Sequence, residues 1–187
     1  MAKASPMRKL ILQMQYSLDG FVSGPNGELD WIFPDLDAEY AAWGVERLWR
    51  AGAHLMGGVT YRDMAAHWPS SAEPYAAPMN QVPKIVFSGS LKNADWRDTR
   101  IVSGDLAKEI ARLKQEPGRD LLAHGGVRFA QSLVRTRSID EYWLLIHPIA
   151  LGRGKRIFSD LAAPMRFKLV NQAKFKTGLI AMEMQPA

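Results

Sequence analysis

The most constraining feature of this sequence is a pair of glycines between an apolar segment and a helical pattern, in the stretch DLLAHGGVRF at residues 120–129. The segment 121–123 predicts the end of a short buried strand, and apolar residues at helical spacing follow from Val127. This order places unpaired N–H groups and the positive end of a helix at the end of a strand, an arrangement that suits a phosphate. A tight turn that needs positive φ is the simpler interpretation of an isolated Gly-Gly, so the signal depends on the rest of the chain.

The composition is ordinary for a globular protein and excludes several chemistries. The chain has 187 residues, of which 47% are hydrophobic and 23% charged. It has no cysteine, so disulfides, thiol nucleophiles and Cys-ligated metals are excluded. We expect residues 1–7 to form a disordered tail and residues 8–187 to form a single domain. Because no signal-peptide core or membrane-spanning run is present, we expect a cytoplasmic protein with no membrane partner.

The charged residues and histidines give little support for nucleic-acid or metal binding. The net charge is +5, and the basic residues are spread out except for RGKR at residues 153–156. That group is more typical of a solvated loop than of a phosphate site, and no nucleic-acid-binding motif is present. The four histidines, at positions 54, 67, 124 and 147, have no metal-ligand spacing. We therefore predict no metal and no nucleic-acid partner.

Strands alternate with helices along most of the chain. Pro34 and the acidic residues after it predict a helix start, and Thr60 is the predicted N-cap of the next helix. The predicted strands are residues 9–16, 53–56, 83–88, 100–102, 121–123 and 139–148, and the predicted helices are 34–50, 60–66, 105–115 and 127–134. Residues 165–175 and 177–184 predict an antiparallel hairpin. The fold class is α/β: a three-layer domain with a mixed, mostly parallel sheet and helices on both faces.

Six short motifs occur in an order that is typical of one family. They are SLDGF at 17–21, LMGGVTY at 55–61, VFS at 86–88, HGG at 124–126, IDEY at 139–142 and PIALGRG at 148–154. With them the chain resembles the dihydrofolate reductase superfamily, and within it the reductase domain of the riboflavin-biosynthesis deaminase–reductase. The resemblance runs from residue 9 to about residue 158. It implies a dihydrofolate reductase-like fold and an NADPH-dependent oxidoreductase that transfers hydride to a small pterin- or pyrimidine-like ring or an imine.

The resemblance also implies which residues bind the cofactor. The set is Gly57, Gly58, Val59, Thr60, Ser88, Gly125, Gly126 and Val127. From the residues alone, these are two glycine-bearing helix starts and a hydroxyl after a third strand, which together suit a dinucleotide. Dihydrofolate reductases commonly carry an Arg for the 2′-phosphate where this chain has Gly58. Arg62 is a candidate substitute, and NADPH over NADH is an expectation from the family.

The candidate catalytic groups are carboxylates, because a buried carboxyl group could hydrogen-bond the substrate ring. In dihydrofolate reductase the acid follows a Trp and a Pro, and Trp31 and Pro34 resemble that layout, with Asp35 or Asp37 as the acid. An equally good interpretation makes both of them first-turn acids that complement the helix dipole. Asp19 is a third candidate, although Asp-Gly is also a common turn pair.

The substrate side leaves alternatives open. Trp31, Tyr61, Met64 and Trp68 are candidate pocket residues, although aromatic residues more often belong to a core. Riboflavin-pathway reductases usually carry an acid where this chain has Met64, so we expect a different substrate, unless Met64 only packs its helix. The alternatives are 5-amino-6-(5-phosphoribosylamino)uracil reductase and a non-catalytic NADPH-binding protein. The apolar run 142–151 and the resemblance lead us to expect a homodimer.

Overall fold

A single eight-stranded sheet organises the chain. The computed structural model describes residues 7–187. The strands are β1 (Leu10–Ser17), β2 (Ala53–Gly57), β3 (Lys84–Phe87), β4 (Thr99–Val102), β5 (Leu121–Ala123), β6 (Glu141–His147), β7 (Phe167–Lys174) and β8 (Ile180–Pro186). Their order is β4-β3-β2-β5-β1-β6-β8-β7, and β8 runs in the opposite direction to the other seven strands. The predicted mostly parallel sheet with a C-terminal antiparallel hairpin is confirmed.

Five α-helices cover the two faces. They are α1 (Ala38–Arg50), α2 (Gly58–His67), α3 (Ala76–Gln81), α4 (Leu106–Gln115) and α5 (Val127–Thr136), with short 3-10 helices at Asp30–Asp35 and Trp68–Ser70. Successive side chains of β1 point to opposite faces of the sheet, which explains the layers. Leu10, Leu12 and Met14 pack with α4 and α5, whereas Ile11 packs with the cluster under α1, α2 and α3. The three-layer architecture is therefore confirmed.

Two predicted helix starts are corrected. Pro34 lies in the 3-10 helix, and α1 begins at Ala38, because the Asp37 carboxylate caps it by accepting a 2.8 Å hydrogen bond from Tyr40 N–H. Helix α2 begins at Gly58 with Gly57 as its N-cap, so the prediction of Thr60 as the N-cap was wrong. Thr60 lies within the first turn, where its hydroxyl is free for another partner.

The position of β6 within the sheet removes one of the two reasons for expecting a homodimer, the apolar run. Strand β6 lies inside the sheet between β1 and β8, so its apolar side chains are covered within one chain. The edge strands are β4 and β7, and β7 carries the exposed side chains of Leu169 and Val170. A homodimer stays a prediction, and β7 is the edge that would form it.

Two expectations concern the ends and the environment of the chain. Residues 1–6 of the predicted tail lie outside the described part of the chain, and the single domain over 8–187 stays a prediction. Within residues 7–187, none of the helices has the length and hydropathy required to cross a membrane.

Candidate cofactor and substrate site

Three of the predicted cofactor segments meet at one edge of the sheet. Strands β5, β2 and β3 are parallel neighbours, so their carboxyl ends lie side by side. A Cβ atom added to Gly58 would lie 2.9 Å from Ser88 Oγ, and one added to Gly126 would overlap Thr60 Oγ1. The Thr60 hydroxyl donates a 3.2 Å hydrogen bond to the carbonyl of Gly125. The structure therefore brings together the two glycine turns and the serine that the sequence places far apart.

Helices α2 and α5 lack the side-chain caps that α1 and α4 have. Asp37 caps α1 and Asp105 caps α4, each accepting a backbone N–H of the first turn. Helices α2 and α5 begin at Gly57 and Gly126, and no side chain from residues 7–187 caps either one. Their first-turn N–H groups remain available to a ligand, and the helix dipole favours a negatively charged one.

The conformation of Gly126 makes glycine necessary at the start of α5. Its φ is +88°, a value that residues with a Cβ rarely adopt. Gly125 lacks a positive φ, and a Cβ there would lie 3.8 Å from the sulfur of Met14 on β1, an ordinary contact. The glycine pair therefore combines a required turn with a surface that is open to a ligand.

The other cofactor candidates surround this edge. Val59 lies on the first turn of α2 with its side chain exposed, and Val127 opens α5, half-buried against the core. The Ser88 hydroxyl accepts hydrogen bonds from the N–H groups of Ser90 and Leu91, so its proton can still be donated to a ligand. Arg62 is exposed one turn further along α2, and its role at a 2′-phosphate stays a prediction.

Polar side chains at the carboxyl ends of β1 and β6 leave the α1 face of the sheet incompletely covered beside these turns, and we call this region the polar cleft. Gln13 and Gln15 are only half-buried although β1 is a central strand, so that face is not fully covered at this point. Gln15 and His147 lie on the paired strands β1 and β6, where Ser17 is directly opposite His147. The carboxyl ends of both strands point to the same edge as the glycine turns, which is where α/β proteins place ligands.

A chain of hydrogen bonds crosses this cleft. Asp35 Oδ2 lies 2.8 Å from His147 Nδ1, and Gln15 Oε1 lies 2.8 Å from His147 Nε2. The Gln15 amide continues to the Tyr40 hydroxyl at 3.1 Å, and the ring of Trp31 packs edge-on against His147. Burial lowers the pKa of His147, and the hydrogen bond and charge of Asp35 oppose that shift. Asp35 is therefore the candidate carboxylate that the structure places in the cleft.

The other two carboxylates have structural partners. Asp37 is the cap of α1 described above. Asp19 accepts a 2.6 Å hydrogen bond from the Ser17 hydroxyl and further ones from the N–H groups of Leu151 and Gly152. The bond from Ser17, helped by those N–H groups, lowers the pKa of Asp19 to about 2. Asp19 therefore fastens the loop after β1 to the loop after β6, in agreement with its interpretation as a turn residue.

The family model described as RibD C-terminal domain matches residues 8–181, almost the whole chain. The chain belongs to the RibD C-terminal domain family. The chain is similar to the uncharacterized protein YyaP of Bacillus subtilis. The two are 28% identical over 178 residues, which cover 92% of this chain and 92% of that protein. The resemblance inferred from the six motifs is thus confirmed at the level of the family.

Solved structures show the same fold. A protein of Shewanella sp. PV-4, whose name assigns it to riboflavin biosynthesis, superposes with a TM-score of 0.74 at 22% identity, over 96% of this chain and 99% of that one. The Thermotoga maritima deaminase/5-amino-6-(5-phosphoribosylamino)uracil reductase superposes with a TM-score of 0.66 at 18% identity. The match covers 97% of this chain and 57% of that one. Enterococcus faecalis dihydrofolate reductase, complexed with NADP(H), superposes with a TM-score of 0.59 at 13% identity. The match covers 95% of this chain and 96% of that one. This RibD C-terminal domain therefore has the dihydrofolate reductase-like fold.

The predicted pocket aromatics divide into two groups in this RibD C-terminal domain. Trp31 lies beside His147, as described above. Tyr61 is buried, and its hydroxyl accepts a 3.1 Å hydrogen bond from Trp96 N–H, which agrees with the alternative interpretation of this residue as part of the core. Met64 and Trp68 pack against the same cluster under α2 and α3. The position of Met64 agrees with the simpler interpretation, in which it packs its helix.

Exposed apolar side chains flank the cleft instead. Leu18 follows β1, Leu29 and Phe33 lie in or next to the 3-10 helix before α1, and Val59 lies at the start of α2. Exposed large apolar side chains grouped at a cleft are typical of a binding site. Their chain positions place all four near the carboxyl edge of the sheet, where they could contact a flat ring.

Sequence reasoning missed His147 and Gln15. A signal for Gln15 was present, because the period-two pattern of β1 predicts two glutamines on one face of a central strand, where apolar residues are expected. For His147 the signal was weaker, because it stands at the end of an apolar run and its partner Asp35 is 112 positions away.

A buried pair of histidines lies next to the glycine turn. His124 precedes Gly125, and its Nε2 lies 2.8 Å from Nδ1 of His54 on β2. Burial lowers the pKa of His124 to about 4, and burial, His124 and Lys84 lower that of His54 well below its usual range. Both rings are therefore neutral near pH 7. Among residues 7–187 no group of three or more His, Asp or Glu side chains is placed to hold a metal ion.

Two depressions at the opposite edge of the sheet differ from this site. One is lined by Arg47, Glu183, Lys9 and Glu141, which form ion pairs across it, and the other includes Arg100, which pairs with Glu116. Their charges are already satisfied within the chain, and they lie at the amino ends of the parallel strands. The carboxyl edge is therefore the candidate functional site.

Proposed function

We propose that this protein is an NADPH-dependent reductase that transfers hydride to a small heteroaromatic, pterin- or pyrimidine-like ring. The observation that carries the proposal is the pair of uncapped, glycine-started helices α2 and α5, which begin on adjacent strands beside Ser88. Two such helix starts side by side supply N–H groups and positive potential for the two phosphates of a pyrophosphate. Family membership and the fold shared with reductases support the same assignment.

The substrate would occupy the polar cleft next to the glycine turns. Strand β1, which carries Gln15 of the hydrogen-bonded chain that ends at Asp35, is the direct neighbour of β5, and the glycine turn follows β5. Hydride transfer requires mainly that the cofactor and substrate rings are stacked and that a polarising group is nearby. Phe33 and Trp31 would bound the ring, and Asp35 would bind a ring nitrogen.

A purely cofactor-binding protein has less support. Such a protein needs no carboxylate beside the cofactor, whereas here Asp35 is held by a buried histidine at the open end of the sheet. The reductase of riboflavin biosynthesis remains the second candidate, because family membership and the Thermotoga maritima structure favour it and Met64 does not argue against it.

The test is a binding measurement followed by a substrate screen. We expect micromolar or tighter binding of NADPH by the full chain, and oxidation of NADPH with dihydrofolate, other pterins or pyrimidine imines. The phosphoribosylamino-uracil substrate is assayed beside them, and turnover on it at a metabolic rate would select the second candidate. Binding of NADPH with no oxidation on any of these rings would contradict the reductase assignment.

A further inference from the structure

The hydrogen-bonded chain in the cleft contains one more acceptor than a neutral histidine can serve. His147 is fully buried, and both of its ring nitrogens face oxygen atoms at 2.8 Å, Asp35 Oδ2 on one side and Gln15 Oε1 on the other. A neutral imidazole carries one N–H, whereas an imidazolium carries two. With the Gln15 amide oriented in this way, the chain is complete only when Asp35 and His147 together hold an additional proton.

Without that proton, the same four side chains have a second arrangement in which every hydrogen bond can also form. If the Gln15 amide turns over, its NH₂ group donates to His147 Nε2, and its oxygen accepts from the Tyr40 hydroxyl. His147 Nδ1–H then donates to the Asp35 carboxylate, so every polar atom in the chain again has a partner. The two arrangements differ by one proton and one amide rotation. A buried group can therefore gain or lose a proton here without leaving an unsatisfied polar atom, which would cost about 1–3 kcal/mol.

The groups that face His147 set its charge. Asp35, on the 3-10 helix, is the charged group that favours the imidazolium, and burial opposes it. From α1, Tyr40 reaches the chain through Gln15, and burial raises the pKa of Tyr40 to about 12, so this phenol stays neutral. Trp31 contributes a neutral ring against His147. The charge on His147 therefore depends on Asp35 and on the orientation of Gln15.

We propose that Asp35 and His147 form the proton store of the reductase, and that Asp35 delivers the proton to the substrate. This inference rests on the proposed function. The hydride of NADPH forms a C–H bond at the carbon of a C=N group, and the π electron pair moves to the nitrogen. That nitrogen takes the proton from Asp35, and NADP⁺ is released. Asp35 touches the substrate, whereas His147 and Gln15 act through it and are positioning residues.

Because Asp35 is partly exposed, the Asp35–His147 pair can take up a new proton after each turnover. The Asp35 side chain is 17% exposed while that of His147 is fully buried. Solvent protons can therefore reach Asp35 between turnovers, and His147 is shielded while the substrate covers the carboxylate. A carboxylate alone in this position would exchange its proton directly with water, whereas the pair retains one until the hydride arrives.

The first test measures the proton itself, without any substrate. Histidine-labelled protein is titrated by ¹⁵N NMR, with the His147 signals assigned by their loss in His147→Gln. Gln15→Glu places a carboxylate at Nε2 and should raise the pKa of His147 by about one unit or more, whereas Gln15→Met should lower it. The control is His67, which lies 2.8 Å from Glu73 but is 53% exposed; its NMR signals should be the same in the wild type and in both Gln15 variants.

The second test asks whether turnover uses this proton. The pH midpoint of the single-turnover hydride-transfer rate should shift in Gln15→Glu in the same direction as the NMR pKa, and by a similar amount. Glu73→Gln is the matched control and should leave the pH profile unchanged. A His147 that titrates identically in all variants, or a rate midpoint that stays fixed while the NMR pKa moves, would overturn the proposal. If no ring is reduced, the proposed function fails and the donor role with it, while the NMR result still decides whether the pair holds a proton.

Discussion

Replacing Val59 by aspartate tests the start of α2 as an anion site with little disturbance of the fold. Val59 lies in the first turn of α2 and is 64% exposed, so a carboxylate there needs no burial. An acid in the first turn interacts favourably with the helix dipole, by about 0.3–1 kcal/mol. We therefore expect unchanged or slightly higher thermal stability, together with weaker binding of any phosphate at the same N–H groups.

The size of the loss follows from the distance between the two charges. A carboxylate at this position would lie about 6 Å from a phosphate bound to the first-turn N–H groups, which at an effective dielectric constant of about 40–80 costs roughly 0.7–1.4 kcal/mol per negative charge. A pyrophosphate with two charges would then lose about 1.4–2.8 kcal/mol, or roughly tenfold to a hundredfold in affinity. At physiological ionic strength, screening reduces the loss by about half.

The assay is a titration of NADPH by intrinsic fluorescence or calorimetry at low and at physiological ionic strength. Val59→Asn controls for shape, and Ala107→Asp places the same charge at the same position of α4, whose start is already capped by Asp105. We expect a loss only in Val59→Asp, larger at low salt. Equal losses in Val59→Asp and Val59→Asn, or no loss at low salt, would refute the assignment of the cofactor phosphates to α2.

Three further outcomes are expected. Gly126→Ala should lower stability by about 1–3 kcal/mol in denaturant unfolding, because its φ is +88° and its Cβ would overlap Thr60 Oγ1; a fully stable variant would contradict this geometry. Stability should fall as the pH drops from about 6.5 to about 4, because buried His124 binds a proton less readily than it does in the unfolded chain, and His124→Gln should flatten that part of the stability curve. If two chains pair through β7, Leu169→Lys together with Val170→Glu should convert a dimer to a monomer in light scattering, and a wild-type monomer at micromolar concentration would reject the dimer.

The geometry of the candidate cofactor site could be predicted from the sequence because its determinants are local. Gly126 is required by the backbone of its own turn, and the strand that precedes it and the helix that follows are visible as patterns. The meeting of this turn with Gly58 and Ser88 needs only the rule that parallel strands end at one edge, once the family resemblance supplies the strand order. The wrong prediction of Thr60 as the N-cap of α2 also had a local cause. Threonine is a common N-cap residue, but Gly57 occupies that position.

The substrate side could not be predicted in the same way, because its chemistry depends on pairs that are distant in sequence. The local sequence around Asp35 and Asp37 does not distinguish them, because both fit the first turn of a helix. Their partners distinguish them: Asp37 caps the N–H of Tyr40, three residues away, whereas Asp35 contacts His147, 112 positions away at the end of β6. Only the alignment of β1 with β6 brings that histidine to the cleft.

The glutamine in β1 indicates why this side of the site is specific to the chain. A central strand gains stability from apolar side chains on both faces, so a half-buried Gln15 gives up packing that an isoleucine or valine would supply. That loss is compensated only if the amide has a task that an apolar residue cannot perform. Here its oxygen and its nitrogen face different partners, His147 and Tyr40, and a group with both a donor and an acceptor is the one that can serve His147 in either protonation state. The proposed proton transfer would therefore account for a glutamine at position 15, which packing alone does not favour.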